Sequence, residues 1–189
     1  MSIFDDIKES VENFFKDKAT KYNKSFKWKE YKIGMTLTHC PTCYSRNNKI
    51  YEAYYNEPKL PEHEKCKCYL DWLKSLRVGK ATELGINGAD FYLKYYGYLP
   101  EYYITKQEAK SLGWKSYKGN LDKVAPGKMM GGMIYQNIEQ LLPNKEGRIW
   151  YECDVDYKGG YRNNARLVYS NDGLIFKTDS HYTNFIAIE

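Results

Sequence analysis

Residues 147–157, GRIWYECDVDY, alternate between the two sides of a predicted β-strand, because successive side chains of a strand point to opposite faces of a sheet. One predicted face carries Ile149, Tyr151, Cys153 and Val155. The other carries Trp150, Glu152, Asp154 and Asp156. A face with three carboxylates is not expected to be an apolar core. It is either the solvated face of an antiparallel sheet or a functional site.

Four other segments in this half of the chain have strand character and are separated by short turns. They are residues 128–135 (KMMGGMIY), 165–170 (ARLVYS), 173–178 (GLIFKT) and 184–188 (NFIAI). Close spacing of this kind favours antiparallel pairing. The sequence therefore predicts a five-stranded antiparallel sheet.

Helices are predicted ahead of these strands. Within residues 88–100 the sequence predicts a helix that is ended by the breakers Gly97 and Pro100. Thr105 and Glu108 have the spacing of a capping box, and the helix that they begin should end at Gly113. Helices followed by antiparallel strands predict an α+β domain over residues 85–189. Upstream, residues 68–78 also have helical spacing.

The bulk composition limits the possible classes of protein. The chain has 189 residues, 42% of them hydrophobic, and a formal net charge of +5. No apolar run approaches the ~18 residues that a membrane span requires. The N-terminus, MSIFDDIKES, is acidic and amphipathic and does not have the pattern of a Sec signal peptide.

Several motifs in the second half occur together and in order. They are LPEYYITKQEAKSLGW (99–114), KGNLDKVAPGKMMGG (118–132), GRIWYECDVDY (147–157), GYRNNARLVYS (160–170) and LIFKTDSHYTNF (174–185). Over residues 89–188 this pattern resembles the barnase family of small microbial, guanyl-preferring ribonucleases. The resemblance implies three helices on a five-stranded antiparallel sheet. It also implies cleavage of single-stranded RNA through a 2′,3′-cyclic phosphate, with no cofactor for catalysis.

The resemblance implies a role for each candidate catalytic residue. Glu152 matches the general base and His181 the general acid, the pair that such a reaction needs to move two protons. Asp154 matches the carboxylate that holds the arginines in place. The cations expected to offset phosphoryl charge are Lys106, Arg162 and Arg166.

Base recognition is expected from residues 133–140, MIYQNIEQ. Within it, Glu139 matches the carboxylate that reads guanine and Asn137 a residue that shapes the loop. The expected substrate-binding residues are Tyr135, Gln136, Asn137, Glu139 and Tyr182, the last by stacking on a base. Ile138 stands where the family pattern has an arginine, which leaves the base preference open.

The first half contains a cysteine and histidine cluster with spacing C-x2-C followed by H-x2-C-x-C. Its members are Cys40, Cys43, His63, Cys66 and Cys68. This spacing favours structural zinc, with disulfides or unpaired thiols as alternatives. The segment resembles the Cys/His region of phage Mu F-type minor head proteins. We therefore predict that residues 1–80 form a small zinc-stabilised carrier or docking module.

Together these resemblances imply a phage-related or prophage-related toxin, a monomer that acts on single-stranded RNA and is held in check by an acidic, barstar-like inhibitor. We expect it to be exported or delivered to a target cell, or to be associated with a virion. The alternative is a non-enzymatic phage structural or RNA-binding protein with a ribonuclease-like fold.

Overall fold

The computed structural model describes residues 45–46, 48–52 and 68–189, together with short strands within 25–37. The chain divides into two compact units. The smaller comprises Met1–Lys74 and Asn137–Lys145, and the larger comprises Ser75–Gln136 and Glu146–Glu189. None of the helices in the described ranges combines the length and the apolar character needed to cross a membrane.

The smaller unit contains two small sheets. Its strands are β1 (Ser25–Lys29), β2 (Lys32–Ile33), β3 (Thr36–Leu37), β4 (Ile50–Glu52) and β5 (Tyr69–Trp72). Strand β1 lies between β4 and β5 and is antiparallel to both, while β2 and β3 form a separate antiparallel pair. The helix predicted over 68–78 is wrong, because β5 and the first strand of the larger unit form there instead. Pairing with other strands outweighs the local helical spacing.

The larger unit is built on a seven-stranded sheet. Its strands are β6 (Ser75–Leu76), β7 (Tyr103–Ile104), β8 (Met129–Tyr135), β9 (Trp150–Asp154), β10 (Arg166–Ser170), β11 (Ile175–Thr178) and β12 (Ile186–Ile188). The spatial order is β6-β12-β11-β10-β9-β8-β7.

The prediction of a five-stranded, wholly antiparallel sheet is therefore wrong in strand number. The five predicted strands form the antiparallel centre, β8 to β12. Strand β6 adds to β12 and β7 adds to β8, both in parallel, so the sheet is mixed. Each added strand has two residues, which is too short for alternation to reveal.

Three α-helices lie in the larger unit within the described residues: α1 (Ala89–Tyr95), α2 (Lys106–Ser111) and α3 (Leu121–Val124). The predicted capping box of α2 is confirmed. The Thr105 hydroxyl accepts a hydrogen bond from the Glu108 backbone N–H, and the Glu108 carboxylate accepts one from the Thr105 N–H. Gly113 follows α2 with a φ of 96°, a left-handed conformation that glycine adopts without steric cost.

The core positions α1 on one face of the sheet. Ala89 and Leu93 of α1 pack in one buried cluster with Cys153, Leu167 and Ile175. Because neighbouring strand residues face opposite ways, Glu152 and Arg166 point to the other face. The carboxylate face is thus the one that α1 does not cover.

Candidate active site

The face that carries Glu152 changes character along strand β9. Trp150 is buried, and its ring lies 5.8 Å from that of Phe176 on β11. Asp154 is buried as well, but among arginines. The expectation that this face is not an apolar core is therefore wrong at its Trp150 end. Glu152 lies between the apolar and the charged regions.

Asp156 leaves the row of carboxylates that the sequence predicts. Strand β9 ends at Asp154, and Asp156 has a φ of 54°. Its Oδ1 accepts a hydrogen bond of 2.8 Å from the backbone N–H of Glu83. The alternation predicted from the sequence fails here because the strand has ended, so only Glu152 and Asp154 share the face.

Glu152 is held at the centre of the sheet. It is in register with Val168 on β10 and with Met133 on β8, next to an irregularity in β8 between Gly131 and Met133. Its carboxylate is half-buried, and its Oε2 accepts a hydrogen bond from the Tyr182 hydroxyl. A carboxylate on a central strand has a well-defined position, which suits a group that must accept a proton at one place.

Asp154 joins two arginines into one cluster. Arg162 donates from Nε to Oδ2 (2.8 Å) and from Nη2 to Oδ1 (2.6 Å), a two-point contact. The Nε of Arg166, the residue opposite Asp154 in the β9–β10 register, forms an ion pair with Oδ1 at 3.0 Å. The Asp154 side chain is only 1% exposed, so its charge is offset almost wholly by these guanidinium groups.

The two arginines differ in what they present to solvent. Arg166 is buried, and its Nη1 donates to the backbone oxygens of Asn163 (2.7 Å) and Ala165 (2.6 Å). The Arg162 side chain is 21% exposed. Burial is the largest single influence on Arg162 and disfavours its charge, but the hydrogen bonds to Asp154 and the nearby charges of Asp154 and Glu152 together outweigh burial and raise the pKa of Arg162. Arg162 is therefore the more accessible of the two guanidinium groups.

His181 lies on a loop with an unusual backbone. His181 and Tyr182 have φ values of 53° and 73°, a left-handed conformation that side chains other than glycine rarely adopt. The buried hydroxyl of Thr178 accepts hydrogen bonds from the N–H groups of Tyr182 (3.1 Å) and Ser180 (3.3 Å). The Ser180 hydroxyl accepts one from the Asn184 N–H at 3.0 Å. These contacts hold exposed His181 in place.

Tyr182 connects the candidate acid to the candidate base. Its ring centroid is 4.7 Å from that of His181 and 5.0 Å from that of Tyr135, on which it stacks. Burial and the hydrogen bond to Glu152 raise the pKa of Tyr182, so the phenol remains protonated. Tyr182 also interacts electrostatically with Arg166 and Arg162. The structure thus brings Glu152, Asp154, Arg162, Arg166, His181, Tyr182 and Tyr135 together.

Lys106 is not joined to this group by any contact that the structure records. It is exposed at the first position of α2. Within residues 68–189, no hydrogen bond or ion pair links Lys106 to Glu152, Asp154 or the arginines. Its role as a phosphate-side cation stays a prediction.

The predicted base-recognition residues fall in both units. Tyr135 ends β8 and exposed Gln136 follows it in the larger unit, whereas Asn137 and Glu139 belong to the smaller one. Asn137 is buried with a φ of 47°, and its side chain bonds both the N–H (3.1 Å) and the carbonyl (2.9 Å) of Leu142. The amide thus closes the 137–142 loop. Glu139 is exposed, and its contact with a base stays a prediction.

Most of the proposed zinc ligands lie outside the described residues, namely Cys40, Cys43, His63 and Cys66. Cys68 is described and is half-buried, with a free thiol. In the ranges that the structure describes, no three His, Cys, Asp or Glu side chains are grouped to hold a metal ion. The zinc site stays a prediction.

Sequence reasoning missed Thr178, Ser180 and the stacking of Tyr135 on Tyr182. The loop offered one signal: Thr178 precedes Ser180 by two residues and Tyr182 by four. At such spacing a hydroxyl can accept hydrogen bonds from the following backbone N–H groups. The tyrosine stack has no signal in the sequence, because it joins residues 47 positions apart.

Known proteins resemble this chain over the region that contains the candidate active site. A family model described as ribonuclease matches residues 89–189. A ribonuclease of Heyndrickxia coagulans is 51% identical over 102 residues, which are 54% of this chain and 94% of that protein. Ribonucleases of Bacillus intermedius and Bacillus pumilus are each 51% identical over 102 residues, and the match spans 63% of their length.

Proposed function

Since the chain belongs to the ribonuclease family and is an endoribonuclease, we propose that it cleaves single-stranded RNA by transphosphorylation through a 2′,3′-cyclic phosphate. The observation that carries this proposal is the link Glu152–Tyr182–His181 beside the Asp154–arginine cluster. It combines a proton acceptor, a proton donor and cations, the three requirements of this reaction.

In the first step the 2′ oxygen of the ribose attacks phosphorus while Glu152 accepts the proton of that hydroxyl. The bond from phosphorus to the 5′ oxygen of the next nucleotide breaks, and His181 donates a proton to the departing oxygen. In the second step water opens the cyclic phosphate, with His181 accepting the water proton and Glu152 returning one to the 2′ oxygen. Each residue ends the cycle in its starting protonation state.

The Asp154–arginine cluster supports the proposal electrostatically. One buried carboxylate faces two guanidinium groups, so the cluster retains a net positive charge. Partly exposed Arg162 would contact the phosphoryl oxygens, whose charge grows in the transition state. Donors that are held in place before the reaction commonly lower such barriers by a few kcal/mol. Asp154 would position both arginines, and Lys106 would add a further cation from α2.

The hydrogen bond from Tyr182 leaves one oxygen of the Glu152 carboxylate available to accept a proton. Its hydroxyl bonds Oε2 of Glu152, and the hydrogen bonds recorded for residues 68–189 do not engage Oε1. We propose that Oε1 accepts the proton of the 2′ hydroxyl while Tyr182 keeps the carboxylate oriented. Tyr182 would then act as a positioning residue in addition to the base stacking expected from the sequence.

The direct test is cleavage of a defined single-stranded oligoribonucleotide, with the product ends identified by phosphorus NMR. We expect a 2′,3′-cyclic phosphate and a 5′ hydroxyl. Replacing the ribose on the 5′ side of the cut with 2′-deoxyribose should abolish cleavage there, because the attacking oxygen is gone. Cutting at that deoxy position, or a 5′-phosphate product, would refute the mechanism. Scanning the base next to the cut would determine the preference left open by Ile138.

The biological setting is proposed on the same basis. A free endoribonuclease would harm its producer, so we propose an acidic, barstar-like inhibitor that covers Arg162, Arg166 and His181. We further propose that residues 1–80 form a zinc-stabilised carrier and that the toxin is delivered to a target cell or carried by a virion. One equivalent of zinc by metal analysis, lost on changing Cys43 and Cys66 to Ser, would support the carrier. Complete folding in chelator would contradict it.

A further inference from the structure

We propose that Tyr117 and Tyr161, together with Lys118, form an additional subsite on which an unpaired base of the RNA substrate stacks, away from the nucleotides joined by the scissile phosphate. The subsite would lengthen the stretch of single-stranded RNA that the enzyme recognises. This inference rests on the proposed function.

The two tyrosines are exposed yet held in position. Each is 69% exposed, so its ring surface is available to a ligand. The Tyr161 hydroxyl donates a hydrogen bond of 2.9 Å to the backbone carbonyl of Tyr117. That bond fixes one ring against the segment that carries the other. A ring that is already ordered loses little conformational entropy when a base stacks on it.

Gly119 allows this close approach. Its φ is 53°, and a Cβ added there would lie 2.8 Å from the Tyr161 backbone nitrogen and 3.0 Å from Cγ of its ring. A larger residue would push the two segments apart. The turn at 117–119 is therefore packed tightly against Tyr161, although the outer surfaces of both rings remain in solvent.

Charge favours a nucleic acid strand as the occupant. The Lys118 ammonium lies 5.9 Å from the centroid of the Tyr117 ring, and Lys115 is exposed in the same turn. The carboxylate of Asp122 is close by, but it accepts a hydrogen bond from the Gly160 N–H at 3.2 Å. Aromatic rings interleaved with lysines are typical of surfaces that bind single strands, where bases stack and cations contact phosphates.

The position of Tyr161 connects this surface with the reaction centre. Tyr161 directly precedes Arg162, whose guanidinium bonds Asp154 and interacts electrostatically with Glu152 and Tyr182. Because the two residues are adjacent in the chain, a strand whose phosphate contacts Arg162 would have a neighbouring nucleotide within reach of Tyr161.

A second group of exposed tyrosines in the same domain has no such link to the candidate active site. Tyr95, Tyr96 and Tyr98 are also exposed, but their rings contact one another or other aromatics of α1. Helix α1 packs on the face of Cys153 and Leu167, opposite Glu152. Tyr98 is therefore a matched control: an exposed tyrosine of the same domain on the other side of the sheet.

The test compares Tyr117→Ala with the wild type on a dinucleotide and on longer oligoribonucleotides. This substitution leaves the backbone carbonyl that anchors Tyr161. We expect kcat/KM for the longer substrate to fall about 5- to 150-fold, which corresponds to the loss of one stacked base. The kcat/KM of the variant on the dinucleotide should stay within about twofold of the wild-type value. Tyr117→Phe should retain wild-type behaviour, because a phenyl ring stacks equally well, and Tyr98→Ala should change neither value.

Substrates with a single abasic nucleotide identify the stacked base. One abasic position should weaken the wild type as much as Tyr117→Ala does, and the variant should lose nothing more at that position. Equal loss on the dinucleotide and the long substrate, or no loss on either, would overturn the subsite. So would a variant that loses only its affinity for a protein inhibitor, since the surface would then serve a protein partner.

A binding measurement tests the subsite independently of the proposed cleavage mechanism. Fluorescence anisotropy with a 2′-deoxy oligonucleotide reports the subsite without any cleavage. If the wild type makes no cyclic phosphate but Tyr117→Ala weakens binding of the long strand, the mechanism fails and the subsite stands. If cyclic phosphate forms and neither binding nor cleavage depends on Tyr117, the subsite fails and the mechanism stands.

Discussion

The hydroxyl of Tyr182 donates a hydrogen bond to the carboxylate of Glu152, and Tyr182 directly follows His181 in the chain. The proposed base, Glu152, is on a central strand and the proposed acid, His181, is on a loop, so this contact ties the loop to the sheet. Tyr135 supports the link by stacking on the Tyr182 ring. The relative position of the proposed acid and the proposed base therefore depends on Tyr182, to which the proposed mechanism gives no proton transfer.

Removing either proton-transfer group should nearly abolish cleavage. We expect Glu152→Ala and His181→Ala each to lower kcat/KM on a dinucleotide by roughly 10²- to 10⁴-fold, the usual contribution of general acid–base catalysis. Far-ultraviolet circular dichroism and the melting temperature should show an intact fold, because His181 is exposed and Glu152 is only half-buried. Turnover near that of the wild type in either variant would contradict the assignment.

The titration of Tyr182 should depend on Glu152. Burial and the hydrogen bond to this carboxylate raise the pKa of Tyr182, so Glu152→Gln should lower it while the effect of burial persists. Absorbance at 295 nm during alkaline titration, with Tyr182→Phe subtracted, isolates this one phenol.

A raised pKa in the folded state also has a consequence for stability. It contributes stability that is complete below the unfolded pKa of about 10 and is lost as pH rises through the folded value. The wild type should therefore lose its stability advantage over Tyr182→Phe at strongly alkaline pH. A difference that does not change with pH would contradict the assigned shift.

Asp154 should be needed for both stability and activity. Asp154→Asn removes the charge that offsets Arg162 and Arg166, and breaking a buried ion pair costs about 3–5 kcal/mol. We expect a large drop in the free energy of unfolding by denaturant titration, and lower kcat/KM where the variant remains folded. Asp172→Asn is the control, because it breaks the two-point contact with Arg148 elsewhere in the domain. That control should lose stability without losing activity per folded molecule.

Thr178 should position His181 through the backbone. Thr178→Val keeps the side-chain shape but removes the acceptor for two N–H groups, which costs about 1–3 kcal/mol of stability. Since the freed loop would no longer hold His181 and Tyr182 in their left-handed conformation, we expect kcat to fall more than KM changes. Thr178→Ser retains the acceptor oxygen and should restore kcat. Equal kcat in the Val and Ser variants would show that the loop is held by other contacts.

The capping box of α2 should make stability depend on acid pH. Hydrogen bonds from the Thr105 backbone N–H and hydroxyl lower the pKa of Glu108. A lowered pKa contributes stability above the unfolded value of about 4.3, and that stability is lost as pH falls through the folded value. The denaturation midpoint of the wild type should therefore exceed that of Glu108→Gln at pH 7 and converge with it in acid. A difference between the two proteins that is the same at pH 7 and in acid would contradict the lowered pKa.

Much of the central fold could be predicted from local spacing. Strands β8 to β12 lie where alternation and turns indicate them, and α2 begins at the capping box of Thr105 and Glu108. Spacing also put Glu152 and Asp154 on one face. These features depend on the fixed geometry of one segment of backbone, so the residues of that segment are enough to reveal them.

Only the tertiary structure could show the features that depend on contacts between residues far apart in the chain. Strands β6 and β7 have two residues each and exist because β12 and β8 offer them free edges. Trp150 is buried beside Phe176, while Asp154 on the same face is buried beside two arginines that offset its charge. The sequence by itself determined which side chains share a face wherever the strand persists, as for Glu152 and Asp154, and which residues begin and end α2. Which of those side chains meet was decided by packing across the sheet, because burial and ion pairing depend on the distances between residues far apart in the chain.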